Sequence, residues 1–404
     1  MAAIKAFSRF AAFFTPVFFC VLLSANRLNA EDYGAAEAYV HSFNNNVTVY
    51  SGVFALNKDF SLDTSMYFKY VVDLINPSFG EGGEGGESGG GSIRKGIAVV
   101  DAVSGASPAV SSGADSTSDT RHELTAGLSH NIRDIIGIEG YLDYSREKDY
   151  SSKTPAITLK KDLFEKNTTL TAGYSRSFDN VSGRFMPGKA ERNTGSYFIG
   201  VTQVISPVTV AQLGYSRSSA DGYMSEGIRL VPVDGAGASS CVAESATCLK
   251  EVFPDSRSRH AYLFAVNRYF LSGLWGALEK ASVKLQLRYY EDDWDISSRT
   301  GEVEYNKYLS KKALMRLNYR YYSQTKAFFV KDNYASTDAL LSSSPQLLNF
   351  NSSLVGVKLS YNIKEYVPDS SFIRGALVEG KYDFYTESMG VNAHVIMAGA
   401  RIGF

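Results

Sequence analysis

Segments of roughly ten residues in which apolar and polar side chains alternate recur along this chain, and they restrict its fold more than any other feature. Alternation at period 2 is the mark of a strand with two different faces. Val283, Leu285, Leu287 and Tyr289 fall on one side of such a strand, and Lys284, Gln286 and Arg288 on the other. Met315, Leu317, Tyr319 and Tyr321 alternate with Arg316, Asn318 and Arg320; Phe60, Leu62, Met66, Phe68 and Tyr70 alternate with Ser61, Asp63, Ser65 and Lys69. Ile136, Ile138, Leu142 and Tyr144 face away from Glu139, Tyr141 and Asp143, as Val378, Tyr382 and Phe384 do from Glu379, Lys381 and Asp383. A soluble sandwich turns the apolar face into a core; a transmembrane barrel turns it to lipid and gives the polar face to an aqueous lumen.

The first 30 residues bear on that choice. Lys5 and Arg9 form a positive start, residues 10–23 are mostly apolar, and Leu28-Asn29-Ala30 ends on a small residue, the layout of a secretory signal. Thr15 and Pro16 interrupt a run already short of the roughly 20 residues a spanning helix needs. Cys20 follows Val17-Phe18-Phe19, which lacks the small residues of a lipid-attachment site. The expected division is a signal over 1–30 and one barrel domain over 31–404. Nothing after residue 30 resembles a transmembrane helix, so a chain that enters the bilayer there must do so as a closed sheet. With 44% hydrophobic residues the chain is no disordered polymer, and 41 basic against 42 acidic residues leave no surplus for a nucleic-acid partner. Without Lys5, Arg9 and Arg27 the balance becomes 38 against 42, mildly acidic.

The spacing of the connections favours the barrel. Very short links near Asn57–Asp59, Arg133–Asp134, Phe164–Lys166, Ser206–Pro207 and Ser310–Lys311 alternate with long ones near 76–120, 179–192, 220–256 and 325–349. Short periplasmic turns and long extracellular loops are the outer-membrane arrangement. The chain ends with Ile396, Ala398, Ala400, Ile402 and Phe404 on one face, like the C-terminal signal read by bacterial barrel-assembly machinery. Tyr174, Tyr215, Tyr289, Tyr321, Tyr322 and Tyr382 lie where an interfacial girdle belongs. The fold class expected is all-β, an antiparallel up-and-down transmembrane barrel of about 16 strands. They begin near 35, 46, 60, 121, 135, 152, 167, 193, 208, 257, 280, 296, 312, 350, 371 and 391; the first and twelfth are the weakest patterns, and without them the count is 14. Cys241 and Cys248, seven positions apart in an exported chain, suit a small disulfide-closed loop, with no histidine nearby to complete a zinc set. The Gly/Glu run over 80–91 reads as a solvated insert, although Glu81, Glu84 and Glu87 are ligands a divalent cation accepts.

Four segments carry a family resemblance. They are Val100-Asp101-Ala102-Val103-Ser104-Gly105-Ala106-Ser107-Pro108, then Arg121-His122-Glu123-Leu124, Glu147-Lys148-Asp149-Tyr150, and Asp162-Leu163-Phe164 leading into Thr169-Leu170-Thr171-Ala172-Gly173-Tyr174-Ser175. On these the chain resembles a family of outer-membrane proteins known as domain of unknown function 3570, most specifically between about 95 and 190. The resemblance implies a barrel in the bacterial outer membrane and brings no catalytic residues or cofactor. The 80–91 run and the Cys241–Cys248 loop look like departures from it.

A barrel of this size encloses an aqueous channel unless loops plug it. The expected lumen lining is Asp63, Lys69, Glu123, Glu139, Asp143, Lys284, Arg288, Arg316, Arg320, Lys358 and Arg401, acidic mainly on early strands and basic on later ones. Opposed walls of that kind orient polar solutes, which makes a porin-like passive channel for small polar or charged solutes the first reading; pairing of the same charges into a rigid network is the competing one. The alternative is a scaffold or sheath docking a periplasmic, redox or secreted partner. The five histidines, His41, His122, His130, His260 and His394, sit in no nucleophile motif, so no enzymatic activity, cofactor or metal is expected. The partners expected are outer-membrane lipid and the assembly machinery.

Overall fold

The computed structural model describes residues 32–44, 47–77, 119–132, 135–237, 241, 243–271, 277–367, 373 and 375–404. The expected signal, the 80–91 insert, nearly all of the 76–120 loop and the Arg133–Asp134 link lie outside these residues.

The strands are β1 (Tyr33–Phe43), β2 (Val47–Asp59), β3 (Thr64–Pro77), β4 (Asp119–Ile132), β5 (Ile136–Arg146), β6 (Tyr150–Leu163), β7 (Thr168–Val181), β8 (Ala190–Ser206), β9 (Thr209–Gly222), β10 (Leu230–Pro232), β11 (Cys248–Lys250), β12 (Ser256–Phe270), β13 (Ala281–Asp292), β14 (Ser297–Tyr308), β15 (Ala313–Gln324), β16 (Phe350–Asn362), β17 (Gly375–Glu387) and β18 (Asn392–Gly403). Sixteen of them close into one antiparallel barrel, each pairing with its chain neighbour and β1 pairing with β18; β10 and β11 form a separate hairpin, so β9 pairs with β12. The two weakest sequence patterns, now β1 and β14, are both full members. Closure leaves the barrel itself no unpaired strand edge, the condition for a sheet in hydrocarbon.

Alternation along each strand sorts side chains between two environments. Leu128, Leu142, Ile157, Ile199, Leu213, Leu287, Val355 and Ile396 all face outward and are more than 45% exposed. In water so continuous an apolar belt would be a liability; on a barrel it is the lipid-facing band. Above it runs an aromatic row. Tyr174 meets Tyr197 at 4.9 Å, and Tyr215, Tyr262 and Tyr289 follow one another at 5.2 and 6.2 Å across β9, β12 and β13. Three histidines join this row by one repeated geometry: Tyr70 with His122, Tyr215 with His260 and Tyr382 with His394 share Oη–Nδ1 hydrogen bonds of 2.7, 2.8 and 2.8 Å. Tyr322 departs from the expected girdle. It stands in register with the inward Ser352 and lines the central cavity.

The connections depart from strict short-and-long alternation. At the turn end the links over 60–63, 164–167, 207–208 and 309–312 are tight, whereas 271–280 and 363–374 are longer. At the loop end, the long connections 182–189, 223–255 and 325–349 are interspersed with the brief 147–149, 293–296 and 388–391. The barrel seam is tied at the turn end: Phe404, fully buried, donates its N–H to the Asp32 carbonyl at 3.0 Å, and Asp32 pairs with Lys58.

Candidate functional site

The lumen is built by register. Lys69 on β3 stands beside Glu123 on β4 and pairs with it at 3.1 Å; Arg121, two residues along, reaches Glu123 at 2.5 Å and Asp73 at 3.7 Å. Glu139 on β5 is paired with Lys160 on β6 at 3.0 Å, and Asp143 accepts from the Thr125 hydroxyl at 2.7 Å. On the other side Arg316 approaches Glu304 at 3.5 Å and donates to Asn306 at 2.8 Å, and Lys358 pairs with Glu379 at 2.9 Å. Arg401 lies over the Tyr33 ring at 3.7 Å. Lys284 stands in register with Glu304 across β13 and β14. Arg288 and Arg320 line the central cavity. Asp63 is the exception among the expected lining: it belongs to the exposed 60–63 turn, where its carbonyl accepts from Asn131 N–H at 2.7 Å. The period-2 pattern ran one turn too far there, because β3 starts at Thr64 and the hairpin takes up the preceding polar residues.

The division of charge is graded. Asp73, Asp119, Glu123, Glu139, Asp143 and Asp179 dominate β3 to β7, yet Lys69, Arg121 and Lys160 stand among them; Glu302, Glu304 and Glu379 are interleaved with the later basic residues. Much of the wall is therefore a ladder of neighbouring ion pairs. Their side chains still reach water: Lys160 and Glu139 are 53% and 40% exposed although they point inward.

A cavity of about 950 Å³ opens at the loop end of this lumen. Its walls carry Arg121, Arg192, Arg257, Arg288, Arg320 and Lys381, with Asp119, Glu147, Asp149, Asp383 and Glu387, and the rings of Tyr39, Tyr150, Tyr290, Tyr322 and Tyr385. Part of its lining, including Ser225, Glu226, Ile228, Gln346 and Leu347, comes from the loops over 223–255 and 325–349. Sequence patterning placed these loops and missed that they fold.

They form a cap with a core of its own. Met224, Trp294, Ile296, Ala327, Phe329, Val330 and Leu347 pack into one buried cluster with Ala220 from β9; Val231, Val233, Tyr334 and Leu341 make a second. Trp294 meets Phe253 at 5.6 Å and Phe329 at 5.2 Å, and its Nε1 donates to the Ser256 carbonyl at 2.9 Å. Backbone bridges join Val233 to Tyr334 and Val252 to Leu341. Cys241 and Cys248 are joined in a disulfide beside β11, with Cα atoms 5.4 Å apart. Asp292 ties cap to barrel: Oδ1 accepts the N–H groups of Trp294 and Ile296, both at 3.0 Å, while Oδ2 accepts Arg257 Nη2 at 2.6 Å and the Tyr290 hydroxyl at 2.5 Å. The Arg257 guanidinium also lies 4.3 Å from the Trp294 ring centroid. The one hint of this in the sequence is a tryptophan in an acidic link too short to shelter it.

One carboxyl is enclosed where the two loops meet. Glu251 is 3% exposed; its Oε1 accepts the Ser343 N–H at 2.9 Å and the Ser342 hydroxyl at 3.1 Å, and Oε2 has no hydrogen-bond partner among the described residues. Burial pushes it up to about 7, with Glu226 adding to the effect and Arg229 opposing it. Burial likewise raises Asp149 in the 147–149 link, against the pull of Lys148. Among the described residues no group of His, Cys, Asp and Glu has the makings of a metal site.

Comparison with known proteins adds a family. No curated protein sequence matches the chain. Among solved structures, the siderophore receptor PirA from Acinetobacter baumannii shares 9% identity at a TM-score of 0.41 over 89% of this chain and 54% of that one, so the chain spans about half that receptor's length. A bacterial polysaccharide outer membrane secretin shares 8% at 0.44, covering 94% and 100%, and a loop-deleted OmpT, an outer membrane protein of Vibrio cholerae, shares 10% at 0.41, covering 93% and 99%. At these scores none of them bears on the role of this barrel. The matches to the family profile extend over residues 23–187 and 185–401, and on that extent the chain belongs to the family described as protein of unknown function DUF3570.

Proposed function

We propose that this barrel sits in the bacterial outer membrane as a passive, porin-like channel for small polar or charged solutes, with the folded cap limiting what enters. The observation that carries the reading is a lumen wall of ionisable side chains that remain solvent-accessible, leading into a charged cavity of about 950 Å³ at the loop end. A barrel serving only as a rigid shell has no use for inward charges in contact with water, whereas a conduit uses them to replace part of a solute's hydration. The cap supports a restricted opening, because its loops contribute side chains to the cavity itself.

The test is single-channel conductance of the refolded protein in planar bilayers, repeated without the 76–120 loop. Steady ohmic steps support the channel. Arg320→Glu should shift ion selectivity toward cations more than Arg316→Glu, because Arg316 is already bound to Asn306 and close to Glu304. Conductance only after loop deletion would make it a gated barrel. If both forms insert and stay silent, the channel reading falls and a scaffold for a periplasmic or redox partner takes its place.

A further inference from the structure

We propose that the loop-end cavity binds a small organic anion, with a carboxylate or phosphate head held by Arg288 and Arg320 and an apolar body lying toward Leu354 and Tyr385. The inference rests on the lumen being open to solutes, as proposed above, and its test lets the two readings fail separately.

The neighbouring cations are already engaged. Arg192 is held by Asp179 at 2.9 Å, Arg257 by Asp292 at 2.6 Å and Lys381 by Asp383 at 2.6 Å. Arg288 and Arg320 form no ion pair among the described residues, and both are exposed within the lumen. They also belong to one patch of the wall: Arg288 on β13 and Tyr322 on β15 both stand in register with Thr300 on β14, Arg320 lies two residues from Tyr322 on the same face, and all three line the cavity. Arginine stays charged at every physiological pH, so this is a standing positive site whose forks are unfilled among the described residues. A planar guanidinium pair matches carboxylate and phosphate oxygens in two-pronged hydrogen bonds, which lysines would not supply.

An opposing charge, Glu302, stands in register with Arg320 across β14 and β15 and makes no ion pair with it among the described residues. It halves the surplus without filling either fork. On the other flank the register runs from Arg320 to Leu354, whose apolar side chain lines the cavity, and on to Tyr385, whose ring is largely buried and whose hydroxyl donates to Glu387 at 3.0 Å. The acidic residues Asp119, Glu147 and Asp149 line the same cavity, so an anion is drawn to the arginine side and a cation to the other.

Equilibrium dialysis of the full-length, detergent-solubilised protein against radiolabelled benzoate, with benzylammonium and inorganic phosphate as comparators, tests the site without requiring transport. Saturable benzoate binding is expected, weakened about tenfold or more by Arg288→Gln or Arg320→Gln. Glu302→Gln should tighten it, a gain that misfolding cannot imitate. Non-saturable binding, equal binding of benzylammonium, or an unchanged affinity in the double arginine variant would overturn the site; phosphate binding as tightly as benzoate would overturn its apolar half. A barrel that binds benzoate but stays silent in bilayers loses the channel reading alone, and one that conducts without saturable binding loses this site alone.

Discussion

Replacing Glu251 by Gln tests the cap through the carboxyl enclosed where its two loops meet. The folded loops raise this group from an ordinary 4.5 to about 7, mainly by burial, so they hold its proton more tightly than opened loops do. The stability tied to that proton is complete below about pH 4.5 and is lost as pH rises through about 7. Ionisation inside the closed cap then costs about 3 kcal/mol, a change on the order of a hundredfold in the open population between pH 5 and pH 8. Gln keeps an acceptor for the Ser342 hydroxyl and Ser343 N–H and cannot ionise, so the variant should show a flat profile and a cap more closed than the wild type at pH 8. Hydrogen exchange of peptides from 325–349, corrected for the intrinsic pH dependence of exchange, measures this directly. Equal slopes in both proteins, or wild-type protection that rises with pH, would refute the reasoning.

Trp294→Ala removes the ring that holds Phe253, Phe329 and Arg257 together and should cost the cap about 3 to 5 kcal/mol, seen as faster proteolysis within 325–349 while the barrel keeps its heat-modifiable gel mobility. Cys241→Ser should weaken the β10–β11 hairpin by about 2 to 4 kcal/mol, read as lost exchange protection over 230–250 with barrel melting unchanged. Gly356→Ala places a Cβ against the side-chain oxygens of Asp383 and Asn318 on the inner face of β16, so it should lower the barrel's melting midpoint in detergent, whereas alanine at the unobstructed Gly375 should not.

The sixteen-strand barrel was legible in the sequence because each strand carries its own two-environment pattern. Lipid on one side and water on the other act on successive residues, so Leu285 and Lys284 report their faces with no knowledge of the rest of the chain. Phe60 to Asp63 shows where that logic stops: a hairpin turn can imitate one more step of alternation, and pairing of β2 with β3 decides where the strand begins. Tyr322 shows another limit, since adjacent tyrosines 321 and 322 look equally suited to a girdle until the register assigns their faces.

The site depended on tertiary structure for its content. Local alternation could sort charged residues to one face of each strand, but which charges neutralise one another is set by cross-strand register, as in Lys69 and Glu123 at a separation of 54 residues. It is the register that leaves Arg288 and Arg320 without an ion pair among the described residues while Arg257 finds Asp292. The cap was the least legible part, because its clusters join segments distant in sequence: Ser342 reaches Glu251 across 91 residues. Loop side chains have no periodic environment to reveal them, and only when the barrel brings the ends of β9, β12, β13 and β15 to one rim do Trp294, Phe253 and Phe329 find each other.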